Sequence, residues 1–478
     1  MMSFSARRLT TACAIAAASL AAAVVPSVAS AAPHCHEGAA IRGKGSSAQK
    51  LLQKEIWNVQ FNTSANPLAC NGTQGESGKP AVTYESTGSG AGLESWGVEQ
   101  KKPGAQELWF AAKNAFVGSE IAPNKTQKEE IESHTEGGKV LTIPVAQPAI
   151  AIVIHLPKGC LGVEGGPKPG QVALKQKTLE QVFEGKKVKF NQILNKAKMK
   201  EATKKSCEKT GHITRVVRED GSGTTDAFMK YLNTVDKNKS VFTSGDTWNQ
   251  EGEKAANTEW PNEAGDPILK GNGGGGVVKA VAEHEGTIGY ANVADARANL
   301  FFDPESEENA KHEKGKGGPG TAIFWAQVEN AKNSYADPST SGEVLKASNS
   351  NCEETVYTNG FGKKTFPPPG AEELWNEVSI ALTQKNYEPC YLTYDLALTH
   401  YKGADKSAFA GAGEAEAAEP TEEDANLVSD YIQYELSTAP EGAQEAALGK
   451  DYLGDPTNAE PSLNVLKIAQ EGAKKIGF

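Results

Sequence analysis

The chain has 478 residues, a formal net charge of -11 and 23% charged side chains, an acidic balance that disfavours nucleic acid as a partner. Hydrophobic residues make up 38% of it, and the length exceeds what one comfortable core organises, so two lobes are expected. Residues 1–31 carry Arg7 and Arg8, an apolar run from Ala12 to Val25 and then Ala29-Ser30-Ala31, the pattern of a cleaved export signal. Cys13 lies early in that run behind Thr10-Thr11-Ala12, without the aliphatic residue of a lipoprotein processing site, so no lipid anchor is expected. No later segment is long and apolar enough to span a membrane. The mature chain is expected outside the cytoplasm, in periplasm, cell envelope or medium, with six of its seven cysteines retained. An even count in an exported chain suggests disulfides. Spacing leaves the pairing open, and joining neighbours would link Cys35 to Cys70, Cys160 to Cys207 and Cys352 to Cys390.

Along the chain, a Gly43-Lys44-Gly45-Ser46-Ser47 turn runs into LLQKEIWNVQF, where Leu51, Leu52, Ile56, Trp57 and Phe61 share one helical face. Residues 65–80 read as a loop. Val82-Thr83-Tyr84 predicts a strand entering GSGAGLESW, a second glycine-rich turn before a helix start. The apolar run from Leu141 to Leu156, closed by Pro157, supplies a buried strand or two and enters the second lobe. Residues 174–194 read as a surface helix and turn. Val216 and Val217 end a strand, Gly221 and Gly223 permit a tight turn, and Phe228, Tyr231 and Leu232 give the apolar spacing of a helix. A loop, GNGGGG at 271–276, precedes the helix VVKAVAEHEG and the strand TIGYANV. Residues 303–320 and 408–420 are low-complexity insertions. CYLTYDLALTHY, Cys390 to Tyr401, alternates as a strand that returns the chain to the first lobe, followed by helices over Glu422–Tyr434 and Leu463–Ala473.

The turns at Ser46-Ser47, Ser89 and Ser222 share one chemistry. A helix start presents unpaired amide donors, and Arg218, at the mouth of the third turn, adds a guanidinium fork. The natural guest is a small oxyanion. No Cys-x-x-Cys occurs, the histidines are scattered, and His34 and His36 beside Cys35 read as a loose end rather than a metal site. The spacing of glycines and lysines fits no nucleotide-binding signature. With no placed nucleophile or metal cluster, the pattern points to a binding module that needs no metal or cofactor, and not to an enzyme.

Taken in order, GKGSSA at 43–48, YESTGSGAGL at 84–93, FVGSEIAP at 116–123, VVREDGSGTT at 216–225 and GTIGY at 286–290 resemble the periplasmic phosphate-binding proteins of ATP-driven phosphate importers. The resemblance implies an α/β, two-lobed substrate-binding fold, with a mixed sheet and flanking helices in each lobe and a two-strand hinge. The first lobe would take residues 32–145 and 386–478, and the second 146–385. It also implies that Ser47, Ala48, Ser89 and Glu120 of the first lobe and Arg218, Ser222, Gly223 and Thr224 of the second contact the ligand, with Asp220 orienting Arg218. The implied function is capture of inorganic phosphate by a monomer and delivery to a membrane permease. At neutral pH phosphate keeps a proton that an ionised Glu120 can accept, whereas sulfate has none to offer. The family commonly has an aspartate where this chain has Glu120. Another oxyanion, a small phosphorylated compound, or phosphoryl-transfer chemistry on the same scaffold are the alternatives.

Overall fold

Two five-stranded sheets organise the described residues, and each is mixed because one or more strands return against the parallel set. The computed structural model describes residues 36, 39–63, 80–98, 114–157, 160, 173–186, 188–193, 201–235, 260–262, 265–298, 323–338, 352, 355–356, 366–368, 370, 375, 378–380, 387–403, 420–438, 443 and 465–478. The expected export signal, the insertion at 303–320, and Cys35 with Cys70 lie outside them, as do all but the last residue of the loop at 65–80 and of the insertion at 408–420.

The first sheet contains β1 (Ala40–Gly45), β2 (Ala81–Ser86), β3 (Asn114–Ser119), β4 (Val140–Ala146) and β10 (Thr393–Leu398) in the order β2-β1-β3-β10-β4. β1 runs parallel to β2 and β3, while β10 lies antiparallel between β3 and β4. The alternation read in residues 390–401 does yield this strand, but every residue of β10 is buried, because it occupies an interior place between covered faces. Helices α1 (Asn58–Thr63), α8 (Glu422–Glu435) and α9 (Val465–Ala473) supply apolar faces to this core. The edge of the Phe61 ring meets Tyr431 and Tyr434 at centroid distances of 5.2 and 5.4 Å, a favourable arrangement for aromatic quadrupoles.

A π-helical turn over Leu52–Trp57 precedes α1. Gln49, Gln53, Trp57 and Phe61, four residues apart, are all 0% exposed. In an α-helix a four-residue step drifts by about 40°, and the wider turn keeps this series on one face. The apolar face expected here is therefore rotated: Leu52, Trp57 and Phe61 are buried, Leu51 and Ile56 only partly, and two glutamines take the inner positions.

The second sheet has β5 (Ile150–His155), β6 (Thr214–Arg218), β7 (Ile268–Gly271), β8 (Thr287–Asn292) and β9 (Ile323–Trp325) in the order β9-β5-β8-β6-β7. β6 is parallel to β7 and β8, and β5 is antiparallel to β8 and β9. Its core is built around Phe183, Phe228, Trp260 and Tyr290, with Phe183 and Phe228 edge to face at 4.8 Å. Arg215 is buried in this half, and its guanidinium donates to the carbonyls of Phe183 and Pro261. Phe183 ends helix α4 (Gln176–Phe183), where a cation complements the helix dipole.

The chain crosses between sheets twice, between β4 and β5 and again before β10. The crossings are bonded to each other: Ala149 bridges Cys390, Ile150 N donates to Pro389 O at 2.8 Å, and Tyr391 N donates to Pro148 O at 3.2 Å. Disulfides join Cys160 to Cys207 and Cys352 to Cys390, two of the three expected pairs.

His36 is not a loose end. It is 0% exposed, with Nδ1 2.6 Å from Glu423 and Nε2 2.9 Å from Asp430, so it fastens the N-terminal segment to α8. Burial opposes its charge, but the two carboxylates prevail and raise its pKa. The glycines at 273–276 also differ from expectation, since they form the first turn of α6 (Gly273–Glu283) instead of a loop.

Candidate functional site

Parallel strands end on the same edge, so their following turns collect there. In the first sheet the turns after β1, β2 and β3 meet: Gly45 O accepts from Thr87 N and Gly88 N at 2.9 and 2.7 Å, and Ser46 N donates to Gly118 O at 2.7 Å. This brings Ser47, Ala48, Ser89 and Glu120 to one edge. In the second sheet Arg218 ends β6 beside Gly271 of β7. The turn Glu219-Asp220-Gly221-Ser222 then leads into α5 (Gly223–Val235).

Ser46 organises the first turn. Its hydroxyl oxygen accepts from Ala48 N at 3.0 Å and Gln49 N at 3.4 Å. The backbone donor expected at Ala48 is thus engaged inside the turn, whereas the Ser47 hydroxyl bonds to no described residue. Ala48 also packs into the second half's apolar core, which places this turn at the junction of the two halves.

Ser89 opens helix α2 (Ser89–Glu94) after Gly88. Its hydroxyl donates to Glu120 Oε2. Glu120 is 7% exposed, and its other oxygen, Oε1, is buried without a hydrogen-bond partner among the described residues. Burial is the largest influence on this carboxyl and raises its pKa to about 7, against the lowering effects of the Ser89 bond and the Arg218 charge.

Arg218 is 1% exposed. Asp220 Oδ1 accepts from its Nε at 2.8 Å and Asp220 Oδ2 accepts from Nη2, leaving Nη1 without a described protein acceptor. Burial disfavours the guanidinium charge, but the Asp220 pair outweighs it and the pKa is raised. Asp220 also receives Gly273 N at 2.8 Å, which ties the arginine to the first turn of α6. Behind Arg218, its backbone N–H donates to the Tyr290 hydroxyl at 3.3 Å, and Tyr290 meets Thr225 Oγ1 at 2.6 Å.

At the start of α5, Ser222 caps the helix: its hydroxyl oxygen accepts from Thr225 N at 3.2 Å and its carbonyl from Asp226 N at 3.2 Å. The Gly223 and Thr224 amides, among the first donors of the helix, have no acceptor in the described chain. Thr224 Oγ1 lies 3.4 Å from the Tyr391 hydroxyl on the second crossing segment. Asp226 instead pairs with Lys230 at 3.0 Å, and Tyr231 is buried in the core.

The halves touch directly. A Cβ built on Gly223 would lie 2.3 Å from Glu120 Oε2 and 2.8 Å from Ser89 Oγ. A Cβ on Gly88, whose φ of 97° also excludes most side chains, would lie 2.6 Å from Gly221 O and 2.8 Å from Asp220 Oδ2. Both positions therefore require glycine for this approach.

Three residues escaped the sequence reading: Gly88, Tyr290 and Asp295. Asp295 is 7% exposed and accepts from Asn292 Nδ2 at 2.6 Å. Burial raises its pKa to about 6, while the charges of Arg218 and Lys50 act against that rise. Tyr290 lies within the GTIGY motif, so that motif carried a signal for it, whereas nothing local marks Asp295.

The two sheets, the paired crossings and the donor-rich turns facing one another define a two-lobed binding fold. The chain belongs to the PBP superfamily, whose domain profile matches residues 32–359. It is similar to the phosphate-binding protein PstS of Haemophilus influenzae, at 26% identity over 295 residues, 60% of this chain and 67% of that protein. It is also similar to PstS of Xylella fastidiosa strain 9a5c, at 27% identity over 205 residues, 42% of this chain and 45% of that protein. These matches span from under half to about two thirds of those relatives. Among solved structures, a phosphate-binding protein from Stenotrophomonas maltophilia shares the fold, with a TM-score of 0.50 and 15% identity over 90% of this chain and 93% of that one.

Proposed function

We propose that this chain binds inorganic phosphate outside the cytoplasm and presents it to the permease of an ATP-driven importer, acting as a binding protein and not as an enzyme. The observation that carries the reading is Glu120 Oε1, a buried carboxyl oxygen with no partner among the described residues, beside a buried guanidinium and open helix amides. In this reading Arg218 and the amides of Gly223 and Thr224 donate to phosphate oxygens, Ser47 and Ser222 add hydroxyls, and the Ser89 hydroxyl joins them by turning from Glu120 to the ligand. Ala48 contributes through the shape of its turn. Asp220 holds the guanidinium plane in place. Ionised Glu120 accepts the proton that phosphate retains, and sulfate, with no proton, would face an unpaired carboxylate at a cost of several kcal/mol.

Relatives named as phosphate-binding proteins support the ligand, and two disulfides support an oxidising compartment. Among the described residues, no helix is long and apolar enough to cross a membrane. The close approach of Gly88 to Gly221 and of Gly223 to Glu120 favours a small anion over a phosphoester, because no side chain fits between the halves at either point.

The test is calorimetric titration of unfolded and refolded protein, freed of carried-over anion, with phosphate, sulfate and a phosphomonoester at neutral pH, alongside Glu120→Gln. Phosphate is expected to bind tightly and sulfate weakly, with the gap narrowed by the substitution. Phosphate preference unchanged in Glu120→Gln would remove the proton-reading role. No phosphate binding by the refolded wild type would reject the ligand.

A further inference from the structure

Behind the Ser46–Ala48 turn, a series of polar side chains continues into the first lobe's core. Gln49 Nε2 donates to Thr393 Oγ1 at 2.8 Å and to Tyr394 O at 3.0 Å, while Gln49 Oε1 accepts from Gln53 Nε2 at 3.2 Å. Gln53 Nε2 also reaches Glu435 Oε1 at 2.8 Å and Asp395 Oδ2 at 3.3 Å, and Gln53 Oε1 accepts from the Tyr431 hydroxyl at 2.8 Å. Gln49, Gln53, Asp395, Glu435 and Tyr431 are all 0% exposed. The front of the series is fixed as well, since the Tyr84 hydroxyl donates to Ser46 O at 2.9 Å.

The carboxyls of Asp395 and Glu435 meet at one donor, Gln53 Nε2, at 3.3 Å from Asp395 Oδ2 and 2.8 Å from Glu435 Oε1, and two buried carboxyl groups drawn to one amide can bond to each other only while one keeps a proton. The other titratable groups that sense the pair are Tyr84 from β2, Tyr401 after β10, and Tyr431 and Tyr434 from α8. Two like charges at this distance in a buried site repel strongly, so a retained proton is the means of holding both acids in the core.

We propose that Gln49, Gln53, Asp395 and Glu435 are positioning residues for the Ser46–Ala48 turn, and that one proton shared by the two acids holds the series together. Burial is the largest influence on both acids and raises both carboxyl pKa values, and the Asp395 charge raises that of Glu435 further. Their added stability is present at low pH and is lost as pH rises through the folded values. Loss of the proton leaves two facing carboxylates, which pulls the Gln53 bridge apart and loosens the turn. The consequence for affinity rests on the phosphate reading, but the structural statement does not.

Hydrogen exchange of the 46–53 segment in ligand-free protein reads the turn directly, through the Ala48 and Gln49 amides bound to Ser46 Oγ. After correction for intrinsic rates, wild-type exchange is expected to rise about tenfold between pH 6 and pH 9, the order of one net hydrogen bond. Glu435→Gln keeps a donor facing Asp395 without a shared proton, and is expected to abolish that rise. Gln49→Met, of similar size without the amide, is expected to raise exchange at both pH values. Phosphate affinity of the wild type should fall relative to Glu435→Gln over the same range. An identical pH response in wild type and Glu435→Gln, or normal protection in Gln49→Met, would overturn the proposal. Exchange that behaves as expected in a protein that binds no phosphate would support the positioning role and reject the ligand.

Discussion

Glu120 is held by opposing forces, and their balance gives a prediction independent of any ligand. Its carboxyl sits in a buried site that disfavours charge, and neither the Ser89 bond nor the nearby Arg218 restores the ordinary acidity. The folded value of about 7 lies above the unfolded one, taken as 4.5. The stability this group contributes is therefore fully present below about pH 4.5 and is lost as pH rises through 7. The difference corresponds to about 3 kcal/mol. In phosphate-free denaturant titrations between pH 4.5 and pH 8.5, wild type should lose about that much relative to Glu120→Gln. Parallel pH profiles for the two proteins would mean that Glu120 titrates normally. Asp295, raised for the same dominant reason, shifts both profiles equally and cancels from the comparison.

At the scale of elements, the start of α5 is shaped for close approach. Gly223 faces Glu120 and Ser89 of the other half, and its φ lies outside the left-handed region, so alanine is conformationally acceptable there. In a ligand-free form whose halves stand apart, Gly223→Ala should preserve or slightly raise stability, because alanine loses less backbone entropy in a helix. Its Cβ would wedge the halves apart and weaken phosphate binding at least tenfold, about 1.4 kcal/mol. Small-angle scattering in saturating phosphate should show a larger radius of gyration than wild type. Wild-type affinity with wild-type closure would show that the halves need not approach this closely.

The same elements show what was readable from sequence. The turns at Ser46, Ser89 and Ser222 were legible because glycine, hydroxyl and helix-start signals are local. So were β6 and α5, where Val216, Val217, Phe228 and Leu232 form a short-range pattern. Gln49 and Gln53 were not, because polar residues in a helical pattern ordinarily face water, and only the π-helical turn and distant Glu435 explain their burial. The helical glycines at 273–276 contradict local propensity and depend on neighbours such as Asp220. The place of β10 between β3 and β4 likewise depends on pairings more than 200 residues away along the chain.

For the whole molecule, the two disulfides among the described residues should separate stability from closure. Cys160 and Cys207 close a separation of 47 residues, and Cys352 and Cys390 one of 38. By loop-closure entropy each contributes about 3–4 kcal/mol. Cys160 and Cys207 are buried in the second half's core and are none of the proposed ligand residues. Replacing both with serine should lower the denaturation midpoint and leave phosphate affinity within about twofold, less than 0.5 kcal/mol. Cys390 has a different position: it bridges Ala149 across the paired crossings and precedes Tyr391, whose hydroxyl meets Thr224. Replacing Cys352 and Cys390 should cost similar stability and also change affinity, because in the proposed function the crossings position the halves that close on the ligand. Equal affinity in both double variants would show that the crossing geometry survives without its disulfide. Weaker binding only in the Cys160/Cys207 variant would relocate the coupling to the second lobe's interior and remove the hinge from that role.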